Sequence, residues 1–120
     1  RESYAWRVWP ALDLKRMNEG AKDLIGSHDF AAFGSPTSPG GVTVREVFSA
    51  LWTDTGAGYQ FDIQANAFLY HMVRRITLVL VRIGQGETQV SLIKDSLNSG
   101  EMDITGLAPA EGLVLQEVIY

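Results

Sequence analysis

The chain has 120 residues, of which 46% are hydrophobic and 20% are charged, and its formal net charge is −4. This composition is typical of one globular domain with a core of its own. The absence of cysteine excludes a disulfide framework and a thiolate metal site, and two histidines are too few for a histidine-based metal cage. No apolar run is long enough to span a bilayer, so we expect a cytoplasmic protein without a membrane partner. Because the chain begins with Arg1 instead of methionine, we expect it to be a piece of a longer protein.

The first half of the chain predicts a helix and a β-hairpin. Tyr4 to Trp9 alternates weakly and is compatible with a short strand or an extended lead-in. Asp13 to Ile25 has apolar residues at helical spacing with Asp13 as the cap, and the following segment predicts a loop as far as Gly41. Val42 to Trp52 and Tyr59 to Ala65 resemble the two strands of a half-buried antiparallel hairpin.

The second half of the chain predicts two helices and a closing strand. Asn66 can cap a helix that ends at Gly84, and Gln89 to Asn98 predicts a second, shorter helix. Gly100 to Gly112 is irregular, and Leu113 to Tyr120 closes the chain as a strand. The predicted order is α-β-β-α-α-β, with a further strand in front if the lead-in is one. Helices on one side of an antiparallel sheet give an α+β fold.

The predicted helix that begins at Asn66 separates an apolar face from a basic face. At helical spacing its apolar side chains fall within about 140° of arc, and its basic side chains fall within about 100° on the opposite side. No acidic residue occurs between Asn66 and Gly86, although the whole chain is acidic. Arginines without a local acidic partner are available to bind a carboxylate or phosphate elsewhere, and the alternative is that they are merely solvated. The apolar set is Phe68, Leu69, Met72, Val73, Ile76, Val79, Leu80 and Ile83, and the basic set is His71, Arg74, Arg75 and Arg82.

The other polar candidates have simpler structural explanations. His28 and Asp29 could form an acid–base pair, but after a helix end these residue types more often order a turn. Asp54 lies in an Asp-Thr-Gly hairpin turn, where aspartate is usually structural. Residues 84–86 read Gly-Gln-Gly but follow a helix, whereas phosphate-binding loops precede one, so they predict a helix stop.

The segment A-N-A-F-L-Y-H-M-V-R-R-I at residues 65–76 resembles the most characteristic segment of the tRNA pseudouridine synthase A family. Three further features occur in the family's order: G-S-H-D-F-A-A-F at residues 26–33, a Ser/Pro-rich loop leading to Arg45, and A-P-A-E-G-L-V-L at residues 108–115. The resemblance implies an α+β, ferredoxin-like half of a pseudouridine synthase. Residues 1–120 would then be the carboxy-terminal domain, with the amino-terminal domain absent.

The resemblance also implies an activity. The family isomerises uridine to pseudouridine in the anticodon stem-loop of tRNA, without a cofactor or a metal. A catalytic aspartate attacks, the glycosidic bond breaks, and the base rotates and is rejoined through carbon. The target nucleotide must leave the helical stack to be reached. The expected partners are therefore tRNA and the missing amino-terminal domain, and homodimerisation is left open.

Site residues follow from the resemblance position by position. Arg74 matches the arginine that pairs with the catalytic aspartate, and such an ion pair keeps a carboxylate charged and aimed. Leu113 matches the apolar residue that packs near the target base. Arg45, His71 and Arg75 lie in matching segments and are expected to contact RNA.

The nucleophilic aspartate itself has no counterpart in this chain. In the family it belongs to an R-T-D-x-G-V-H-like motif in the amino-terminal domain. Residues 53–56 match three letters of that motif, but Trp52 replaces the arginine and no Val-His follows, so we do not assign the nucleophile to Asp54. Nor do we assign the family's active-site tyrosine to Tyr4. We expect the fragment to be inactive alone, and the alternative functions are a non-catalytic RNA-binding module and a dimerisation module.

Overall fold

The computed structural model describes residues 2–9, 12–36, 38–102 and 114–118. In chain order its elements are β1 (Glu2–Trp9), α1 (Leu14–Lys22), β2 (Gly26–Asp29), β3 (Val44–Asp54), β4 (Tyr59–Ala65), α2 (Met72–Gly84), α3 (Leu92–Ser99) and β5 (Val114–Val118). No helix within these ranges is both long enough and apolar enough to cross a membrane.

The strands form one antiparallel sheet in the order β2-β3-β4-β1-β5. β4 lies between β1 and β3, and in the chain α1 and the short strand β2 separate those two strands. Without the short edge strand β2, the chain runs β-α-β-β-α-α-β, which is the ferredoxin-like, split β-α-β arrangement. The structure therefore confirms the predicted α+β fold with an antiparallel sheet.

The helices cover one face of the sheet, and the core lies between them. Trp52 of β3 and Phe61 of β4 are directly paired, and their rings stack with centroids 5.0 Å apart. A register shift between Val47 and Ser49 keeps both Val47 and Ala50 in the core, although they are three positions apart in the strand. The sheet contributes Val8, Val47, Ala50, Trp52, Phe61, Ile63 and Ala65 to the core, and the helices contribute Met17, Ala21, Met72, Val73, Ile76, Val79, Leu80, Val81, Ile83 and Ile93.

The helix α1 approaches α2 closely at a glycine. A Cβ atom on Gly20 would lie 3.0 Å from Leu80 Cδ2 and 3.3 Å from Ile83 Cδ1. Both of these atoms are the flexible ends of side chains. The close approach lets α1 bury the apolar face of α2 directly, and this contact holds α2 over the sheet.

The carboxy-terminal end of α2 is tied down by residues at the start of α1. Arg16 donates from Nε to the carbonyl of Ile83 at 3.1 Å and from Nη2 to the carbonyl of Thr88 at 2.9 Å. The Asp13 N–H donates to the carbonyl of Gly84 at 3.0 Å. The last carbonyls of a helix have no partner within the helix. The Ile83 carbonyl also accepts from the Gly86 N–H, so the Arg16 bonds add a second donor there and tie the segment after α2 to α1.

Asn18 of α1 takes the place of a strand at the edge of β3. β2 pairs with residues 44–47 of β3, so it does not reach Trp52. Asn18 Nδ2 donates to the Trp52 carbonyl at 3.1 Å, and Asn18 Oδ1 accepts from the Trp52 N–H at 2.8 Å. One side-chain amide thereby satisfies both backbone polar groups of Trp52 on the side of β3 that β2 leaves uncovered.

Two predictions about elements are wrong. Gly26–Asp29, predicted as loop, forms a strand because it pairs with the start of β3. The helix predicted to begin at Asn66 begins only at Met72. The Asn66 side-chain oxygen accepts from the N–H groups of Glu46 and Ala67, both at 2.9 Å, so it holds the chain against β3 instead of capping a helix.

Other predicted features are confirmed. Asp13 caps α1, because its Oδ1 accepts from the Arg16 N–H at 3.1 Å. α2 ends at Gly84, and the return strand of the hairpin is Tyr59–Ala65 as predicted. The closing strand Val114–Val118 lies within its predicted range.

Candidate active-site cleft

The segment between β4 and α2 is pinned from two sides. Ser35 and Tyr70 form an antiparallel bridge in which the Tyr70 N–H donates to the Ser35 carbonyl at 3.0 Å and the Ser35 N–H donates to the Tyr70 carbonyl at 3.3 Å. On the other side, the Phe68 N–H donates to Glu2 Oε2 at 3.1 Å, and the Tyr4 ring meets the Phe68 ring edge-on at 5.3 Å. The position at which α2 begins is therefore set by both the loop after β2 and the strand β1.

His71 is the residue at which the chain turns into α2. Its backbone is left-handed, with φ 64° and ψ 3°, and it is the one non-glycine residue with positive φ in the described ranges. This conformation costs a residue with a Cβ atom about 1–2 kcal/mol, so the surrounding contacts must enforce it. The exposed His71 ring lies 3.9 Å from the Tyr70 ring, centroid to centroid.

A cleft of about 550 Å³ lies between the first turn of α2 and the strands β1 and β5. This volume is within the range that small-ligand sites occupy. The helix wall is formed by residues 68–74, and the strand wall by alternate residues of β1 together with one residue of β5. The lining residues are Glu2, Tyr4, Trp6, Phe68, Leu69, Tyr70, His71, Met72, Val73, Arg74 and Glu117.

The two walls of the cleft carry opposite charges. Arg74 is exposed on the helix wall, and its guanidinium makes no hydrogen bond or ion pair with the residues that the structure describes. Glu2 and Glu117 line the strand wall. A guanidinium without a partner at the rim of a cleft binds an incoming carboxylate or phosphate, with two parallel hydrogen bonds where the geometry allows.

The apolar face predicted for α2 is confirmed, and burial extends beyond it. Thr77, Leu78 and Val81, which fall outside the predicted apolar arc, are also buried. Arg74, Arg75 and Arg82 are therefore the exposed or half-buried positions on a helix that is otherwise buried.

Arg82 does not belong with the unpaired arginines, which corrects the sequence analysis. Its Nη1 atom lies 2.6 Å from Glu87 Oε2, and both side chains are partly exposed. The partner was missed because it follows the helix end and lies beyond the spacing of four residues at which helical ion pairs form. At about 1.5 Å of rise per residue, Arg82 lies about 12 Å along the helix from Arg74, away from the cleft.

The structure brings His71 and Arg74 together in the cleft, but not the other predicted RNA contacts. Arg75 is half-buried beside Arg74 and outside the cleft lining. Arg45 is held near its own backbone, because its Nη1 donates to the carbonyls of Val42 at 2.9 Å and Val44 at 2.8 Å. The buried Nε atom of Arg45 has no hydrogen-bond partner within the described part of the chain.

Leu113, predicted to pack near the target base, lies outside the described residues. It precedes β5 directly in the chain, and β5 contributes Glu117 to the cleft.

His28 and Asp29 order a turn, as predicted. His28 Nε2 lies 2.9 Å from the Ile25 carbonyl oxygen. Asp29 Oδ1 accepts from the Ala31 N–H at 3.0 Å and from Thr43 Oγ1 at 2.6 Å. With Asp29 engaged in these bonds, the two side chains do not form an acid–base pair.

Asp54 is also structural, as predicted, because its Oδ1 accepts from the Gly56 N–H at 2.7 Å within the hairpin turn. Gly84 ends α2, as the Gly-Gln-Gly sequence predicted. Across the described ranges, no three His, Cys, Asp or Glu side chains come together as a metal site requires.

Apart from the residues predicted to lie in the core, five residues of the cleft lining were not predicted to be functional: Glu2, Tyr4, Trp6, Tyr70 and Glu117. Tyr70 lies inside the family-like motif, and its exposure depends on the turn at His71. The others face the cleft because β1 lies between β4 and β5, and only that pairing places β1 beside the first turn of α2. The weak alternation of β1 was the available signal, and it did not indicate which strands are its neighbours.

Comparison with known proteins agrees with the geometry. The family model for tRNA pseudouridine synthase matches residues 21–120. The chain is 37% identical over 117 residues to tRNA pseudouridine synthase A of Geotalea uraniireducens, covering 97% of this chain and 48% of that protein. It is 38% identical over 117 residues to tRNA pseudouridine synthase A of Myxococcus xanthus, covering 96% of this chain and 44% of that protein. For the protein of the same name from Syntrophotalea carbinolica, the identity is 38% over 118 residues, with 98% and 47% covered.

The chain spans about half the length of the curated relatives it matches. Similarity along nearly all of this chain, a ferredoxin-like α+β fold and a cleft built around the motif at residues 65–76 point to the same assignment. The chain belongs to the tRNA pseudouridine synthase family.

Proposed function

We propose that this chain is the carboxy-terminal domain of a tRNA pseudouridine synthase that converts uridine to pseudouridine in the anticodon stem-loop of tRNA. The observation that carries the proposal is the guanidinium of Arg74, which stands at the cleft without a partner among the described residues. The described cleft lining contains no aspartate. Relatives of about twice the length have room for a second domain that supplies one.

The proposed reaction keeps every atom of the nucleotide and needs no cofactor. The aspartate of the amino-terminal domain attacks, and the bond between the ribose and N1 of uracil breaks. The base rotates, its C5 atom forms the new bond to the ribose as the aspartate is released, and the proton on C5 is lost while N1 gains one. The target uridine must first leave the stack, which costs least in a loop.

Arg74 acts in this scheme by holding the aspartate. A neighbouring guanidinium favours the charged form of a carboxylate and fixes its direction. The exposed position of Arg74 on the first turn of α2, with that turn set by His71, presents it to a group from outside the chain. Leu113 is proposed to pack beside the target base once the cleft is complete.

Arg45, His71 and Arg75 are proposed to contact the RNA backbone. His71 lines the cleft, and Arg75 lies next to Arg74 on α2. The Arg45 guanidinium has its Nη1 engaged with backbone carbonyls, so it would need to rearrange or use its other nitrogen atoms. The partners are then tRNA and the amino-terminal domain, in the cytoplasm.

The test compares Arg74 variants of the complete enzyme, in which this chain is joined to its amino-terminal domain. Arg74→Ala should lower turnover at saturating anticodon stem-loop RNA by more than about 100-fold, while the Kd for that RNA changes by less than about threefold. Arg74→Lys should restore little, because lysine keeps the charge but not the two-pronged geometry. Arg82→Ala is the matched control, since Arg82 is bound to Glu87 at the far end of the helix. A large loss of affinity with normal turnover would make Arg74 a phosphate contact instead.

The isolated chain provides a second test. It should form no pseudouridine, because the nucleophile is in the other domain. Turnover by the isolated chain that survives Asp54→Ala but is lost in Arg74→Ala would refute the argument for a missing nucleophile. Salt-dependent RNA binding with no activity in the complete protein would favour a non-catalytic RNA-binding module. A concentration-dependent dimer without RNA affinity would favour a dimerisation module.

A further inference from the structure

We propose that Tyr70, braced by His71, is a stacking platform for an unpaired nucleobase next to the target uridine. This inference rests on the proposed function, because it concerns how the same cleft holds an RNA loop. In this role the aromatic ring of Tyr70 stacks against the face of a nucleobase.

The exposure of Tyr70 is the first observation. Its relative exposure is 63%, compared with 39% for Tyr4 and 8% for Phe68 in the same cleft. Tyr4 and Phe68 meet edge-on and so occupy one another. The Tyr70 ring is therefore the aromatic surface of the cleft that is most open to a ligand.

The second observation is that the platform is already rigid. The Tyr70 N–H and carbonyl are both bonded to Ser35, so the backbone cannot swing. The His71 ring lies 3.9 Å from the Tyr70 ring at an interplanar angle of 55°, and the left-handed backbone of His71 fixes that arrangement. A surface that is ordered before binding loses less entropy when a ligand arrives.

The third observation is the distribution of charge, which selects a nucleobase as the occupant. With Arg74 holding the aspartate, the neighbouring Arg75 on α2 attracts a phosphate backbone to the helix side of the cleft, whereas the carboxylates of Glu2 and Glu117 on the strand wall repel it. An RNA strand that follows the helix wall directs its bases across the cleft mouth, where Tyr70 lies. Unpaired bases in loops are commonly recognised by stacking on aromatic side chains, which bases inside a duplex cannot do.

The experiment uses the complete enzyme and two anticodon stem-loop RNAs. One carries a fluorescent purine analogue on the 5′ side of the target uridine, and the other carries it on the 3′ side. Stacking quenches such an analogue. Wild type and Tyr70→Phe should quench the analogue in at least one of the two RNAs. Tyr70→Ala and Tyr70→Leu should abolish that quenching and raise KM by about tenfold or more, with kcat at saturation within about twofold of wild type. Phe48→Ala, an exposed aromatic outside the cleft lining, is the matched control and should leave both readings unchanged.

The outcomes separate this inference from the proposed function. If Arg74→Ala abolishes turnover while Tyr70→Ala leaves quenching and KM unchanged, the platform is refuted and the proposed function stands. If Tyr70→Ala lowers only the thermal stability of the complete enzyme, Tyr70 is an interdomain contact and the platform is again refuted. If the wild-type enzyme forms no pseudouridine, the proposed function fails, and RNA binding without Tyr70-dependent quenching then refutes the platform as well.

Discussion

Removing the side-chain amide of Asn18 should destabilise the domain substantially, although Asn18 is not a core residue. In Asn18→Ala, the N–H and carbonyl of Trp52 lose bonds of 2.8 Å and 3.1 Å, and β2 does not extend far enough to replace them. A buried backbone group left without a partner costs about 1–3 kcal/mol. Because Asn18 is half-buried, water can reach part of the gap, and we expect a total loss of about 2–4 kcal/mol for the two groups. For a domain of this size that is a large part of a stability of about 6–18 kcal/mol.

The assay is urea unfolding of the isolated chain, with amide hydrogen exchange at Trp52 as a local readout. Asn18→Asp keeps an acceptor for the Trp52 N–H but sets a carboxylate against the Trp52 carbonyl, so it should not recover the loss. Glu19→Ala, at the next position of α1 and exposed, should change the free energy of unfolding by less than about 0.5 kcal/mol. A loss below about 1 kcal/mol in Asn18→Ala, or unchanged protection of the Trp52 amide, would refute the reasoning.

Two further predictions concern the contact between α1 and α2. Arg16→Ala should lower the free energy of unfolding by about 1–2 kcal/mol, because two charge-assisted bonds to the carbonyls of Ile83 and Thr88 are lost, and thermal melting of Arg16→Lys should show partial recovery. Gly20→Ala should raise the free energy of unfolding by about 0.5 kcal/mol, since alanine favours a helix and the new Cβ meets only flexible side-chain ends. If urea unfolding shows that Gly20→Ala lowers the free energy of unfolding by more than about 1 kcal/mol, the side chains of α2 around Gly20 cannot move to accommodate the new Cβ atom.

The predictions that succeeded rest on local physics. Asp13 caps α1 through a bond to a residue three positions later, which a sequence pattern can indicate. In the hairpin turn, the Asp54 side chain likewise accepts a hydrogen bond from the N–H of Gly56, two residues later. The apolar face of α2 follows from helical spacing, and the α+β class follows from the predicted order of elements, whereas the ferredoxin-like arrangement was implied by the family resemblance.

The predictions that failed depend on distant partners. Asn66 has the chemistry of a helix cap, but its oxygen is bound by the N–H of Glu46, twenty residues away, so the helix cannot start there. Tyr70 lies outside the helix because its backbone is bonded to Ser35. A residue pattern describes neighbours along the chain, so it cannot indicate that a distant backbone group will bind Asn66 or Tyr70 in place of the helix. The same limit applies to the strand wall of the cleft, which exists only because β1 is placed between β4 and β5.

The two hydrogen bonds between the Asn18 side chain and the Trp52 backbone also affect how readily copies of this protein aggregate. The part of β3 that β2 leaves uncovered is a sheet edge, and a bare edge is a template on which another chain can add a strand. Asn18 occupies both polar groups of Trp52, and the helix that carries it blocks the approach of a neighbouring strand. The edge strand on this side of the sheet, β2, is four residues long, which offers little length for pairing. A side chain on α1 thus protects this edge of the sheet against aggregation while it helps to stabilise the fold.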